Sequence, residues 1–309
     1  MMSTTVALEL KNVSKTYSTG VVALKGINLE VKQGDFFALL GPNGAGKSTT
    51  IGIVATLTQA TAGTVKIFGY DIEKQSTLAK LHLGVVPQEF NFNIFETVLD
   101  VVTNQAGFYG IPRKTAQKNA EYYLHQLGLW EKRFDIGRTL SGGMKRRLMI
   151  ARSLVHHPKL LILDEPTAGV DIELRRQMWD FLKEMNKSGV TIILTTHYLE
   201  EAEQLCRNVA IIDKGNLIAN TSIKKLLSQT KEETLVIDLE SALKTIPKMT
   251  GFHVQQVDET CIEVTYQQGT RLNHLFEHFN QHGLHITSMR HKTNRLEELF
   301  LQLIRQQEQ

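Results

Sequence analysis

The sequence predicts an α/β fold: a core built on a parallel sheet, an N-terminal antiparallel β part, a helical subdomain and a small C-terminal α+β domain. Three observations carry this. The apolar runs Leu160-Leu161-Ile162-Leu163 and Val190-Thr191-Ile192-Ile193-Leu194 have the pattern of strands buried on both faces of a parallel sheet. A glycine-rich stretch, Gly41-Pro42-Asn43-Gly44-Ala45-Gly46-Lys47-Ser48, stands between the apolar Phe36–Leu40 and a helix-periodic segment. After about residue 230 the texture changes to short strands and helices of a different unit.

In chain order, residues 6–40 read as the alternating strands VALELKNV, GINLEV and FFALL, separated by Gly and Asn turns. A helix starts at about Lys47, and strands follow near VKIFG and LGVVP. Residues 96–157 read as mostly helical, interrupted at Gly110 and Pro112. LLILDEP and VTIILTTH are strands, with a helix from Ile172 to Met185 between them. VAIID is a last short strand, closed by the turn Lys214-Gly215-Asn216. In the tail, LVIDLE, CIEVTY and HITSM read as strands. Arg271 to Gln281 is a helix with Leu272, Leu275, Phe276 and Phe279 on one face, and Leu296 to Leu303 closes the chain as another. The expected domains are 1–229, with its helical subdomain at about 96–157, and a small accessory domain at 230–309.

The chain has 309 residues, 42% of them hydrophobic and 22% charged, an ordinary globular balance. A formal charge of +3 without a long basic block argues against nucleic acid as a partner. The two cysteines, Cys206 and Cys261, lie far apart and fit a reducing compartment. MMSTTVALELK has no signal-peptide character, and no apolar stretch is long enough to span a bilayer. The reading is a cytoplasmic chain whose membrane role, if it has one, comes through a partner. His274, His278 and His282 share a helix flank at spacings of four, but no cysteine or acid completes a zinc set, so they read as a solvated edge.

Residues 41–48 match GxxxxGK[ST]. Glycines let the backbone wrap so that successive N–H groups cradle phosphates, Lys47 reaches the outer phosphates, and the Ser48 hydroxyl suits magnesium. Asp164, at the end of a buried strand, is the matching metal carboxylate. Glu165 beside it is placed to polarise water, or is a solvated surface acid. Gln88 after VVP could reach metal and water, and His197 at the end of VTIILTTH could hydrogen-bond the γ-phosphate. Tyr17 is an adenine-stacking candidate or a strand-edge aromatic. A second anion site stands at Leu140-Ser141-Gly142-Gly143, where a serine cap leads into a helix with free N–H groups.

GPNGAGKST, VVPQ, LSGGMKRR, LLILDEP, AGVD and TTH occur in the order found in ATP-binding cassette (ABC) proteins, a P-loop NTPase fold. Residues 6 to about 230 carry the resemblance. The whole chain is similar to the ATPase subunits of ABC-2-type exporters, with PQEFNFN and ILTTHYLEEAE nearest the bacterial YadG type. The resemblance implies ATP and Mg2+ as ligands, a head-to-tail homodimer, and ABC-2-type permease subunits at the inner face of the cell membrane. It implies that ATP is held by Tyr17 and by Gly41, Pro42, Asn43, Gly44, Ala45, Gly46, Lys47, Ser48 and Thr49 of one subunit. From the other subunit it implies Ser141, Gly142, Gly143 and Asp171. Glu165, His197, Gln88 and Lys47 take the catalytic positions, and Ser48, Gln88 and Asp164 the metal positions. AGVD stands where many relatives have SALD. An alternative, an ABC ATPase that acts as a nucleotide-gated clamp without transport, usually brings tandem cassettes or long coiled coils, which this sequence lacks.

Overall fold

The computed structural model describes residues 5–228, 232–243, 249–267, 269–292 and 295–306. The chain divides into two compact units, 1–222 and 223–309.

The first unit begins with β1 (Val6–Thr16), β2 (Val22–Lys32) and β3 (Phe36–Leu40), then α1 (Lys47–Val54). β4 (Ala62–Ile67), β5 (Tyr70–Asp71), α2 (Ser76–Leu81) and β6 (Leu83–Val86) follow. Three helices come next: α3 (Val98–Phe108), α4 (Arg113–Gln126) and α5 (Gly142–Leu154). The unit closes with β7 (Leu160–Asp164), α6 (Ile172–Lys187), β8 (Thr191–Thr195), α7 (Leu199–Leu205), β9 (Asn208–Asp213) and β10 (Asn216–Ser222). One sheet has the order β2-β1-β4-β5 and is antiparallel. The other has the order β10-β9-β3-β8-β7-β6 and is parallel except for the edge strand β10.

Every residue of β3, β7 and β8 is buried, which is why these strands show no polar alternation. One side of this sheet, with Phe37, Leu39, Ile162 and Ile193, shares a core with Leu8, Leu10, Leu24 and Leu29 of the antiparallel sheet and with Ile53 and Val54 of α1. Full burial of each such side chain contributes roughly 1.5–3 kcal/mol. β5, α2, α7 and β10 were not expected from sequence. They are short, and the last two are rich in Glu or Asn, so neither period stands out.

The helical part is tied to the sheet by a half-buried histidine. The His156 ring stacks on Tyr109 from the end of α3, with centroids 3.6 Å apart and planes 4° apart. Its Nε2 lies 3.0 Å from the Leu83 carbonyl at the start of β6, and a carbonyl only accepts, so Nε2 carries the proton. Nδ1 is buried without a partner.

The second unit holds α8 (Ile223–Leu227), β11 (Glu232–Leu239), β12 (Phe252–Gln256), β13 (Cys261–Gln267), α9 (Asn273–Gln281), β14 (Ile286–His291) and α10 (Arg295–Gln306). Its antiparallel sheet runs β12-β13-β11-β14. Leu275 and Phe279 of α9 pack on Leu235, Ile237, Ile262 and Val264. β12, FHVQQ, is too polar to have been read as a strand. The His278 and His282 rings lie 4.2 Å apart along the edge of α9. Among the described residues, no cluster of three His, Cys, Asp or Glu side chains is placed to hold an ion.

Burial pushes His156 down to about 4, because a second proton would find no acceptor at Nδ1. The folded-state value lies below the unfolded one of 6.5, so this contribution is complete above pH 6.5 and is lost as pH falls towards 4. Across that window the fold should lose about 3 kcal/mol that a His156→Phe variant retains. Urea unfolding of both proteins at pH 7 and pH 4.5 checks this. Equal pH dependence in the two would refute it.

Candidate functional site

In the parallel sheet, Leu39 pairs with Thr195, Thr195 with Asp164, and Leu163 with Val86. Four chain segments therefore leave the sheet side by side at its C-terminal edge, where α/β sheets collect ligands. They are the loop after β3, Gln88 after β6, Glu165 after β7 and His197 after β8.

Leu40 pairs with Ile211, so Gly41 comes directly against Ile212. A Cβ on Gly41 would overlap the Ile212 carbonyl oxygen, and only glycine fits there. Gly46 caps α1 at φ 115°, and a Cβ on it would stand 2.8 Å from the Ala23 carbonyl oxygen. The loop thus wraps tightly and presents the N-terminus of α1 to an anion. The Lys47 ammonium is buried and donates to the carbonyls of Gly41 at 2.7 Å and Pro42 at 3.0 Å. Burial pushes its pKa down, while Glu165 and Asp164 pull it back up.

Asp164 is 8% exposed and accepts a short hydrogen bond from the Thr195 hydroxyl on the neighbouring strand. Burial raises its pKa, helped by Glu165 and opposed by that hydrogen bond and by Lys47 and Arg146. Glu165 follows in the left-handed region at φ 49°, which costs a non-glycine residue roughly 1 kcal/mol or more. That turn brings its carboxylate to both neighbours. Glu165 Oε2 accepts from Gln88 Nε2 at 3.0 Å and lies 3.2 Å from His197 Nδ1. With its nitrogen on Glu165, the Gln88 amide leaves its oxygen free. That oxygen, the Ser48 hydroxyl and the Asp164 carboxylate are all oxygen donors, the chemistry that suits a hard divalent cation such as magnesium.

Tyr17 is 38% exposed, its hydroxyl 3.2 Å from Thr49 Oγ1 and its ring under the Lys15 ammonium at 5.1 Å. Ser141, Gly142, Gly143 and Asp171 form a second surface. Ser141 caps α5, its Oγ accepting from Met144 N at 3.3 Å, and Asp171 caps α6, its Oδ1 accepting from Leu174 N at 2.9 Å. A Cβ on Gly143 would collide with Leu174, so the two helix starts pack against each other. Asp171 also opposes the burial that lowers the pKa of Arg147 on α5. The hydrogen bonds of Ser141 and Asp171 are local caps; neither reaches the Gly41–Thr49 loop.

Three residues of this region had no place in the sequence reading. Thr195 ties Asp164 across two strands. Glu201 is fully buried, and its Oε1 accepts from Thr167 Oγ1 at 3.0 Å and Trp179 Nε1 at 2.9 Å, which anchors the loop between Glu165 and Asp171. Arg146 grips the backbone at Gln88. Only its place just after Ser141-Gly142-Gly143 marks Arg146 in the sequence.

Comparison with known proteins gives concordant results. The ABC transporter family model matches residues 24–168. The linearmycin resistance ATP-binding protein LnrL of Bacillus subtilis (strain 168) is 34% identical over 305 residues, 96% of this chain and 97% of that protein. The Nod factor export ATP-binding protein I of Cupriavidus metallidurans is 40% identical over 224 residues, 72% of this chain and 73% of that protein. A dimeric ATP-binding cassette in a post-hydrolysis state, bound to ADP and Pi, matches with a TM-score of 0.65 and 28% identity, covering 70% of this chain and 98% of that one.

The two glycine sites differ in a testable way. Gly41→Ala forces the Ile212 backbone to move and should cost about 1–3 kcal/mol of stability along with phosphate binding. Gly142, with nothing within 4 Å of its Cβ position, should tolerate alanine within about 0.5 kcal/mol. Thermal melts of both variants decide; equal shifts would contradict the packing argument.

Proposed function

Because the chain belongs to the ABC transporter family, as an ATP-hydrolysing subunit of its exporter class, we propose that Glu165 is the general base that polarises the attacking water. The observation that carries this reading is the meeting of Gln88 and His197 on one oxygen of Glu165, beside Asp164 and Lys47. Gln88 and His197 hold the carboxylate in one orientation, which is the condition for efficient proton abstraction. Lys47 releases the Gly41 and Pro42 carbonyls and takes the outer phosphates of ATP in their place. His197 meets the γ-phosphate, and Tyr17 stacks on the adenine. A magnesium ion held by Ser48, Gln88 and Asp164 would neutralise phosphate charge and polarise the γ-phosphoryl group.

Two copies of the chain pair head to tail. Ser141, Gly142 and Gly143, with the free N–H groups of α5, meet the γ-phosphate held on the other subunit, and Asp171 crosses between them. Support comes from the packing of both helix starts into one surface and from the dimeric cassette that this chain resembles. ATP closes the pair, and hydrolysis removes the anion that joined it.

The partner is an ABC-2-type permease. A groove of about 690 Å³ between the Gln88 segment and α3 is lined by Phe92, Glu96, Asn104, Phe108 and Arg152. Phe108 on its wall is 85% exposed, an apolar edge of the kind that receives a helix from another protein. No described helix is long and apolar enough to cross a membrane, so attachment to the inner face of the cell membrane runs through the permease. The likeness to LnrL spans 96% of the chain and so takes in the second unit, whose role is to support the dimer or to regulate it.

Glu165→Gln should keep ATP binding, lower kcat by about 100-fold or more, and accumulate an ATP-stabilised dimer on gel filtration. Phosphate release at the wild-type rate would refute the base assignment.

Lys47→Ala and Ser141→Arg should each be inactive as homodimers. Mixed, they should trap one nucleotide per dimer, because one shared site then has both residues intact. Mixed dimers that form but trap nothing would place Ser141 outside the partner's site.

A further inference from the structure

Arg146 is 5% exposed on the first turns of α5. Its guanidinium donates through NH1 to the Pro87 carbonyl at 2.9 Å and through NH2 to the Gln88 carbonyl at 2.8 Å. The same group lies 5.1 Å from the centre of the Phe90 ring, a cation–π contact. Further along α5, Arg152 donates through NH1 to the Asn91 carbonyl at 3.0 Å and through Nε to Gln105 Oε1 of α3 at 3.0 Å. The segment from Pro87 to Asn91 is therefore strapped to α5 at both ends.

Gln88 belongs to two bodies at once. Its backbone is fastened to α5, which begins at Ser141-Gly142-Gly143, and its side chain reaches Glu165 on the parallel sheet. A fork of two charge-assisted hydrogen bonds fixes direction as well as distance. Half-buried carbonyls that lose such a donor turn to water instead, and the peptide is then free to rotate. Asp164 and Glu165 add a Coulomb pull on Arg146 from the sheet side.

We propose that Arg146 is a positioning residue for ATP hydrolysis: by clasping the Pro87 and Gln88 carbonyls it makes the aim of the Gln88 amide at Glu165 depend on where α5 stands. This rests on the reading of Gln88 and Glu165 given above. The guanidinium is committed to the Pro87 and Gln88 carbonyls, so its effect passes through Gln88. Loss of the clasp spares the phosphate loop and should leave ATP affinity alone while lowering turnover.

The test is a double-mutant cycle on the full-length chain, with kcat and KM for ATP measured for wild type, Q88A, R146M, R146K and the pairs Q88A/R146M and Q88A/R146K, and thermal melts to establish folding. R146M should lower kcat by about fivefold or more with KM within about twofold, and R146K should fall between it and wild type, since a single ammonium cannot reproduce the fork. In the Q88A background neither substitution should lower kcat by more than about twofold further. Multiplied losses in the double variants, a change confined to KM, or wild-type kcat in R146M would overturn the proposal. If R146M does not fold, the R146K cycle decides by the same comparison. Wild-type kcat in Q88A would instead sink the reading of Gln88, a result distinct from additivity, and the inference would fall with it.

Discussion

Thr195 stands between Leu39 and Asp164 in the parallel sheet, and its hydroxyl bonds the Asp164 carboxylate. The site depends on that register. The phosphate loop begins one residue after β3, Glu165 one residue after β7, and His197 two residues after β8. A slip of one position between β7 and β8 would turn Asp164 to the other face of the sheet and part Glu165 from His197. The register is held by apolar side chains buried on both faces, so the same packing that stabilises the core sets the geometry at its edge.

Much of this was legible in the sequence because it is local. A phosphate loop is one turn with fixed glycine positions, and LLILD followed by Glu is a strand and its exit. Gln88, Glu165 and His197 come together in space, but each sits at the end of a strand that could be read by itself. What stayed hidden is long-range and polar. Arg146 is one of several basic residues in KRR, and only the fold shows that it faces inward to two carbonyls 58 and 59 residues away. Glu201 lies in LEEAEQL, which looks like a solvated acidic turn, yet it is buried under the loop from Thr167. The order β12-β13-β11-β14 follows from pairing across the second unit, and β12 has too little apolar pattern to announce itself.

Ser141 and Asp171 illustrate a second economy. Each caps its own helix and, on the proposed dimer, also meets the neighbouring subunit's nucleotide. Removing either side chain therefore disturbs a helix start and an intersubunit contact together. Substitutions that enlarge these residues discriminate better than truncation to alanine, because a cap loss alone can imitate a loss of function.

The left-handed backbone at Glu165 has one more consequence. Glycine, or to a lesser degree asparagine, would occupy that turn with less strain, so the most comfortable residues for the fold are ones that cannot take a proton from water. On the proposed base assignment, selection for thermostability alone would drift towards an inert protein at this position. Glu165 is thus a place where rigidity and turnover pull against each other, and screens for more robust variants should hold it constant.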